Sequence, residues 1–154
     1  MHCHFSYCQT RNLENPIATL QLCVGRHCLI FQILLATLIP ESLVNFLGNP
    51  SYIFVGVGIE NDVEKLRKDY GVEVAKTVDL RTLATDVYGV REFKKAGLLQ
   101  LARIVLGKEI NKPKSVTMSR WDDQCLTLLQ VQYASVDAFL SFQIGMILIN
   151  GNHN

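Results

Sequence analysis

The feature that most constrains this 154-residue chain is the stretch Tyr52–Arg67, YIFVGVGIENDVEKLR, in which a strand signal runs directly into a helix signal. Tyr52–Val57 is a short run of β-branched and aromatic residues, so it predicts a buried strand. Asn61, with Glu64 three residues later, forms a capping-box pattern that predicts the start of a helix. Asp62 would then lie in the first helical turn, beside the carboxyl end of a strand, where open α/β sheets bind ligands.

Two other interpretations of this turn have to be weighed. Gly56 and Gly58 resemble the glycine-rich turn of a dinucleotide-binding fold, and Asp79 lies about twenty residues further on, where a ribose-binding acid is expected. A pyrophosphate needs a positive field at the helix start, and three carboxylates crowd that end instead: Glu60, Asp62 and Glu64. The charges therefore argue against a dinucleotide. Taken alone, Asp62 could be an ordinary helix-start acid favoured by the helix dipole.

A second motif lies near the end of the chain, in LTLLQVQYASVDAFLSF. Tyr133 and Asp137 are four residues apart there, so they share one face if the segment is helical. Five segments of the chain occur in the same order as the motifs of the Werner-syndrome-type 3′–5′ exonuclease domain. They are FVGVGIENDVEKL, DLRTLA, GLLQLARIVLGKEINKPKS, SRW and QYASVDAF. The chain resembles this DEDDy branch of the ribonuclease H-like superfamily, and most of all its plant members, over residues 16 to 145.

The resemblance implies an α/β fold with a mixed sheet in the order 3-2-1-4-5, flanked by helices. It implies hydrolysis of phosphodiester bonds at 3′ ends of DNA or RNA by two Mg²⁺ or Mn²⁺ ions about 4 Å apart. By the same resemblance, Asp62 and Asp137 are metal ligands, Tyr133 orients the attacking water, and all three are catalytic residues. We expect the carboxylates of Asp62 and Asp137 to lie within roughly 8 Å of each other.

One family motif has no counterpart. The central first strand of the family carries D-x-E, which would fall at or before residues 1–5, yet MHCHF contains no carboxylate and Glu14 stands in the following loop. We therefore expect a missing or degenerate central strand, either a gap or a poorly paired substitute near His4–Cys8. The chain would be a fragment, an alternative gene product or a degenerate paralogue, and would hydrolyse poorly or not at all. The alternative is a non-catalytic relative that binds nucleic acid or forms oligomers.

The remaining patterns give the organisation of the chain. Residues 1–15 are expected to be irregular, since the spacing of His2, Cys3, His4 and Cys8 matches no standard zinc pattern. Residues 16–150 are expected to form one exonuclease-like domain. The predicted strands are Ile17–Val24, Cys28–Leu34, Tyr52–Val57 and Lys76–Leu80. The predicted helices are Glu41–Leu47, Asn61–Tyr70, Arg81–Tyr88, Gly97–Leu106 and one or two helices within Leu126–Ile149.

Charge and composition limit the partners. The net charge is only +1, but nine basic residues stand against three acidic ones between Arg81 and Arg120, an excess of six. Such a region could follow a phosphate backbone or could be ordinary solvated helix faces. Trp121 in SRW is expected to pack in the core rather than to stack on a base.

The apolar and cysteine residues point to a location. Cys23 and Cys28, two of five cysteines, lie in apolar runs and are expected to be reduced core thiols rather than part of a disulfide framework. Leu29–Ile39 is too short to span a bilayer. We therefore expect an intracellular protein of the nucleus or cytoplasm, with no membrane partner and with a homo-oligomer possible.

Overall fold

The computed structural model describes the backbone of residues 2–9, and residues 15–111 and 113–151 in full. Five strands form one sheet in the order β3-β2-β1-β4-β5, which confirms the predicted topology. The strands are β1 (His2–Gln9), β2 (Ile17–Val24), β3 (His27–Phe31), β4 (Ile53–Gly56) and β5 (Thr77–Asp79). β4 is an interior strand, as Tyr52–Val57 was expected to be.

The central strand differs from expectation. β1 pairs antiparallel with β2, His4 opposite Cys23 through Gln9 opposite Ile17, and parallel with β4, where His4 lies opposite Val55. Of the two expected alternatives the gap is not found, and residues 2–9 form a strand rather than an irregular or poorly paired segment, because strands on both sides supply hydrogen-bonding partners. The substitute strand expected near His4–Cys8 is present. Residues 1 and 10–14, including Glu14, lie outside the described residues.

Helices cover both faces of the sheet. They are α1 (Glu41–Leu47), α2 (Ile59–Tyr70), α3 (Leu80–Tyr88), α4 (Leu98–Leu106), α5 (Lys114–Thr117) and α6 (Leu128–Gly151), with a short 3-10 helix at Arg91–Lys95. Phe54 of β4 is buried in a core with Leu47 of α1 and Leu66 of α2. Its neighbour Val55 is buried on the other face with Ile144 of α6. Alternate strand residues point to opposite faces, so α2 and α6 lie on opposite sides of the sheet.

One predicted helix start moved for an identifiable reason, and one open choice between one and two helices was settled. The second helix begins at Ile59 rather than Asn61, because Gly58 adopts φ 69° and caps it through the left-handed region that glycine tolerates. Asn61 lies inside the helix, and its backbone N–H donates to the carbonyl of Gly58, so the expected capping box is not formed. The segment Leu126–Ile149 is one helix, α6, and the polar loop before it contains the short helix α5.

Only α6, among the described helices, is long and apolar enough to be compared with a membrane span, and this is weak evidence of one. In its most apolar 18-residue stretch, 44% is buried inside the protein. Leu140, Ile144 and Leu148 lie in the core with β4, α3 and α4. This is how the core helix of an α/β domain is packed.

Candidate active site

A network of polar contacts fixes the turn between β4 and α2. The carboxylate of Asp79, at the end of β5, accepts hydrogen bonds from the backbone N–H of Gly58 at 3.0 Å and from that of Arg81 at 2.8 Å. The Arg81 guanidinium donates to both oxygens of the same carboxylate, at 3.1 and 2.8 Å. Asp79 is therefore the N-cap of α3 and also the tie between the carboxyl ends of β4 and β5.

These contacts decide the charge state of Asp79. Burial would raise its pKa, but hydrogen bonds and charge from Arg81, with the N–H of Gly58, outweigh it and lower the pKa below the ordinary value. Hydrogen bonding to Asp79 raises the pKa of Arg81, to which the charge of Asp62 also contributes. Asp79, which a dinucleotide-binding turn would use as a ribose ligand, is instead bonded to Gly58 and Arg81. Spacing in the sequence alone could not assign it this structural role.

Asp62 lies in the first turn of α2, as predicted, and is partly buried. Its charge acts on Arg81, so a guanidinium is part of its surroundings. Glu60, the other acid in this turn, is exposed and accepts a hydrogen bond from the Thr77 hydroxyl at 2.8 Å. The helix start therefore combines two carboxylates with one fixed cation.

Tyr133 and Asp137 lie on one face of α6, as the spacing predicted. Both line a cleft of about 270 Å³ whose opposite wall includes Ile110, Asn111 and Pro113 from the loop after α4. The Tyr133 hydroxyl and the Asp137 Oδ1 atom are both buried from solvent. The cleft thus combines a phenol, a carboxylate and an amide against apolar walls.

The structure does not bring Asp62 into this cleft, whose walls come from α6 and the preceding loop. α2 and α6 lie on opposite faces of the sheet, so the two carboxylates can approach each other only around its carboxyl edge. That Asp62 and Asp137 lie within roughly 8 Å stays a prediction.

Sequence reasoning missed one residue that positions the start of α6. Gln130 is only 4% exposed. Its side-chain oxygen accepts from the backbone N–H of Thr127 at 2.8 Å, and its amide donates to the Ser119 hydroxyl and the Arg120 carbonyl, each at 3.0 Å. A glutamine in an apolar helix three residues after a threonine was the available signal. The hydrogen bonds of Gln130 join the SRW loop to the helix that carries Tyr133.

Trp121 confirms the packing interpretation. Its side chain is 1% exposed and lies in a small core with Ala18, Val116 and Ala134. A base could not reach the indole ring without unfolding of this core. Trp121 therefore supports the fold of the SRW loop rather than substrate stacking.

The basic region is partly neutralised. Arg81 pairs with Asp79 at 2.8 Å, Arg103 with Glu109 at 3.1 Å, and Arg120 with Asp122 at 3.4 Å. Hydrogen bonding and charge from Asp122 raise the pKa of Arg120. Exposed basic residues nevertheless remain along this part of the chain, namely Arg91, Lys94, Lys95, Lys108 and Lys114. Lys112 lies outside the described residues.

The fold and these motifs together define an α/β domain of the ribonuclease H-like exonuclease class. A sequence profile of the 3′–5′ exonuclease family matches residues 2–150, so the chain belongs to this family. A 3′–5′ exonuclease of Arabidopsis thaliana is 34% identical over 137 residues, covering 88% of this chain and 46% of that protein. The bifunctional 3′–5′ exonuclease/ATP-dependent helicase WRN of Mus musculus is 36% identical over 127 residues, covering 82% of this chain and 9% of that protein.

Solved structures agree on the fold. Escherichia coli RNase D superposes with a TM-score of 0.79 at 20% identity, over 97% of this chain and 39% of that one. The EXD2 exonuclease domain soaked in Mg and GMP gives a TM-score of 0.51 at 30% identity, over 97% of this chain and 76% of that one. The chain spans less than half the length of the two curated relatives, so the activity of a whole protein does not transfer with the domain.

Proposed function

We propose that this chain is a 3′–5′ exonuclease domain that recognises the 3′ ends of DNA or RNA and hydrolyses them weakly or not at all. Family membership supports the substrate class. The site residues we assign are Asp62, Tyr133 and Asp137, the last two of which line one cleft. The proposal of weak activity rests on the sequence of the central strand β1, HCHFSYCQ, which contains no carboxylate.

The donor set does not fit a two-metal site. Mg²⁺ and Mn²⁺ require oxygen ligands, and several carboxylates are needed to offset two divalent charges. Among the residues whose side chains the structure describes, no three His, Cys, Asp or Glu residues form a group that could hold a metal. The charge near Asp62 includes the Arg81 guanidinium, which opposes a cation. Asp62 and Asp137 by themselves would hold at most one weakly bound ion.

A non-catalytic role follows as the second candidate. The exposed lysines after Arg91 and the cleft of Tyr133 and Asp137 would still contact a nucleic-acid strand without cleaving it. We further propose an intracellular location, in the nucleus or cytoplasm, and a homo-oligomer as a possible working state. Light scattering of the purified chain tests the oligomer directly.

The activity test compares the natural chain with one strand exchange. The purified protein is incubated with end-labelled 3′-overhang DNA and RNA in Mg²⁺ or Mn²⁺, and digestion is expected at background. Replacing residues 2–9 by the D-x-E-carrying strand of a family member should produce a 3′–5′ ladder, because the missing carboxylates return to the centre of the sheet.

Three variants of the exchanged chain serve as controls. Asp62→Asn and Asp137→Asn should each abolish the ladder, whereas Asp86→Asn, an exposed carboxylate on α3, should leave it intact. Strong metal-dependent digestion by the natural chain, lost in Asp137→Asn, would overturn the proposal of weak activity. Binding of the same substrates in EDTA, measured by anisotropy, separates the non-catalytic role from no nucleic-acid function.

A further inference from the structure

Two cysteines face each other across the hairpin at the edge of the sheet. Cys23 of β2 and Cys28 of β3 are direct partners in the antiparallel register. Their Sγ atoms are 3.0 Å apart, closer than two sulfur atoms in ordinary van der Waals contact. Neither is disulfide-bonded in the structure. We propose that Cys23 and Cys28 form a reversible dithiol–disulfide pair, a modification site separate from the nuclease motifs.

The hairpin geometry suits a cross-strand disulfide. The loop has two residues, Gly25 and Arg26, with Gly25 at φ 62°, so Val24 and His27 are the pair that closes the turn. Antiparallel pairs alternate between hydrogen-bonded and non-hydrogen-bonded, and the second kind brings Cα atoms to about 4.5 Å and side chains closest. The next pair, Cys23 and Cys28, is of this second kind, and this Cα separation lies within the range of disulfides.

The two thiols differ in access, which sets the order of events. Cys23 is fully buried, whereas Cys28 lies on the edge strand β3, is partly exposed, and packs with Cys23 against α6. A small oxidant such as a peroxide can therefore reach Cys28 first. The buried Cys23 is placed to resolve the product, as in redox-responsive pairs.

The chemistry balances with one peroxide per pair. The Cys28 thiolate attacks one oxygen of hydrogen peroxide, the O–O bond breaks, and the released hydroxide takes the thiol proton to leave as water. Cys23 sulfur then attacks the Cys28 sulfenic sulfur, the S–O bond breaks, and that hydroxide takes the Cys23 proton as a second water. The two sulfurs lose two electrons, which the peroxide accepts, and a dithiol reductant reverses the step.

The pair is also in contact with the helix that carries the candidate site. Cys28 Sγ lies 3.6 Å from the carbonyl oxygen of Ser135, which stands between Tyr133 and Asp137 in sequence. Cys23 packs in a small core with Ala138 of the same helix. Oxidation would remove the Cys28 S–H donor from the Ser135 carbonyl and so change the support of this turn.

The sequence makes the test sharp and independent of nuclease activity. Arg26 is the only tryptic site between the two cysteines, so trypsin separates peptide 12–26, containing Cys23, from peptide 27–65, containing Cys28. The fully reduced 154-residue protein is treated with hydrogen peroxide, the remaining thiols are alkylated, and the digest is analysed by mass spectrometry. We expect the two peptides to remain joined, about 2 Da lighter than their sum, and to separate after dithiothreitol.

Variants distinguish this pair from the other cysteines. Cys125→Ser, which removes an exposed thiol, should leave the joined peptide unchanged, and Cys28→Ser should abolish it. If Cys28→Ser fails to fold, the natural protein still decides the matter. Recovery of both peptides separately, or of Cys28 joined to Cys3, Cys8 or Cys125, would overturn the proposal.

Discussion

At the scale of single residues, the carboxylate of Asp79 makes several contacts that fix the turn between β4 and α2. One carboxylate caps α3, holds the Gly58 turn and binds Arg81. Its side chain is only 14% exposed, so removal of the charge would leave donors aimed at a weaker acceptor. Such losses are larger than those of surface ion pairs, which contribute about 0–1 kcal/mol.

We expect Asp79→Asn to lower the free energy of unfolding by about 1–3 kcal/mol, through a weakened cap and weaker hydrogen bonds. Urea unfolding monitored by circular dichroism measures the change. Asp86→Asn, on the exposed side of the same helix, is the matched control and should change stability by less than about 0.5 kcal/mol. Equal effects of the two substitutions would contradict a special role for Asp79.

The lowered pKa of Asp79 also predicts how the stability of the protein changes at acid pH. Its pKa in the folded protein is lowered, so its contribution is fully present above the ordinary value of 3.8 and is lost as the pH falls through the lowered value. Stability of the natural protein should therefore fall more steeply below about pH 4 than that of Asp79→Asn. Parallel acid profiles of the two proteins would show that the pairing does not stabilise the fold.

At the scale of elements, α6 packs closely against the sheet at Gly145. A Cβ atom at this position would lie 2.8 Å from Cγ2 of Val55, at the centre of β4. Real Cβ atoms essentially never come so near, so the Val55 side chain, the strand or the helix would have to shift. The glycine therefore sets the distance between the sheet and the helix that carries Tyr133 and Asp137.

We expect Gly145→Ala to destabilise the protein by about 1–3 kcal/mol, because overpacking exceeds the gain of up to about 1 kcal/mol in helix propensity. Gly151→Ala, in the same helix with no atom within 4 Å of the added group, should be neutral or stabilising. Thermal unfolding of both variants is the measurement. Stabilisation by Gly145→Ala would mean that α6 packs less closely than the structure indicates.

Elements with strong local signals could be predicted from the sequence. Ile17–Val24 and Glu41–Leu47 were predicted with the boundaries that the structure has. A substitute strand near His4–Cys8 was one expected alternative, but the bounds and full pairing of β1 could not be predicted, because its partners β2 and β4 are distant in sequence. The start of α2 was missed since a left-handed Gly58 replaced side-chain capping.

Within the candidate site, the shared face of Tyr133 and Asp137 could be predicted from their spacing. The hydrogen bonds made by Asp79 and Gln130 could not, because they join residues that are separated in sequence.

At the scale of the whole molecule, the basic residues decide how a nucleic acid would approach. Lys114 is exposed and directly follows Pro113, which lines the cleft of Tyr133 and Asp137. Lys68 is also exposed but lies on α2, across the sheet from α6. The two lysines therefore differ in position relative to the cleft of Tyr133 and Asp137 while having the same charge.

If the proposed function holds, Lys114→Ala should weaken binding of a 3′-overhang oligonucleotide and reduce the slope of log affinity against log salt by about 1. Lys68→Ala should leave both quantities unchanged. Fluorescence anisotropy between 50 and 200 mM salt provides the comparison. Equal losses in both variants would indicate attraction by overall charge instead of a defined path.

The central position of β1 has a consequence for the dynamics of the protein. Among the described strands, β1 is the one that joins the pairs β2–β3 and β4–β5 in the sheet. β1 cannot leave the sheet without breaking both its antiparallel ladder to β2 and its parallel ladder to β4. Amide hydrogens of β2, β1 and β4 should therefore exchange with solvent together, in one cooperative opening close to global unfolding, while the hairpin edge β3 exchanges earlier.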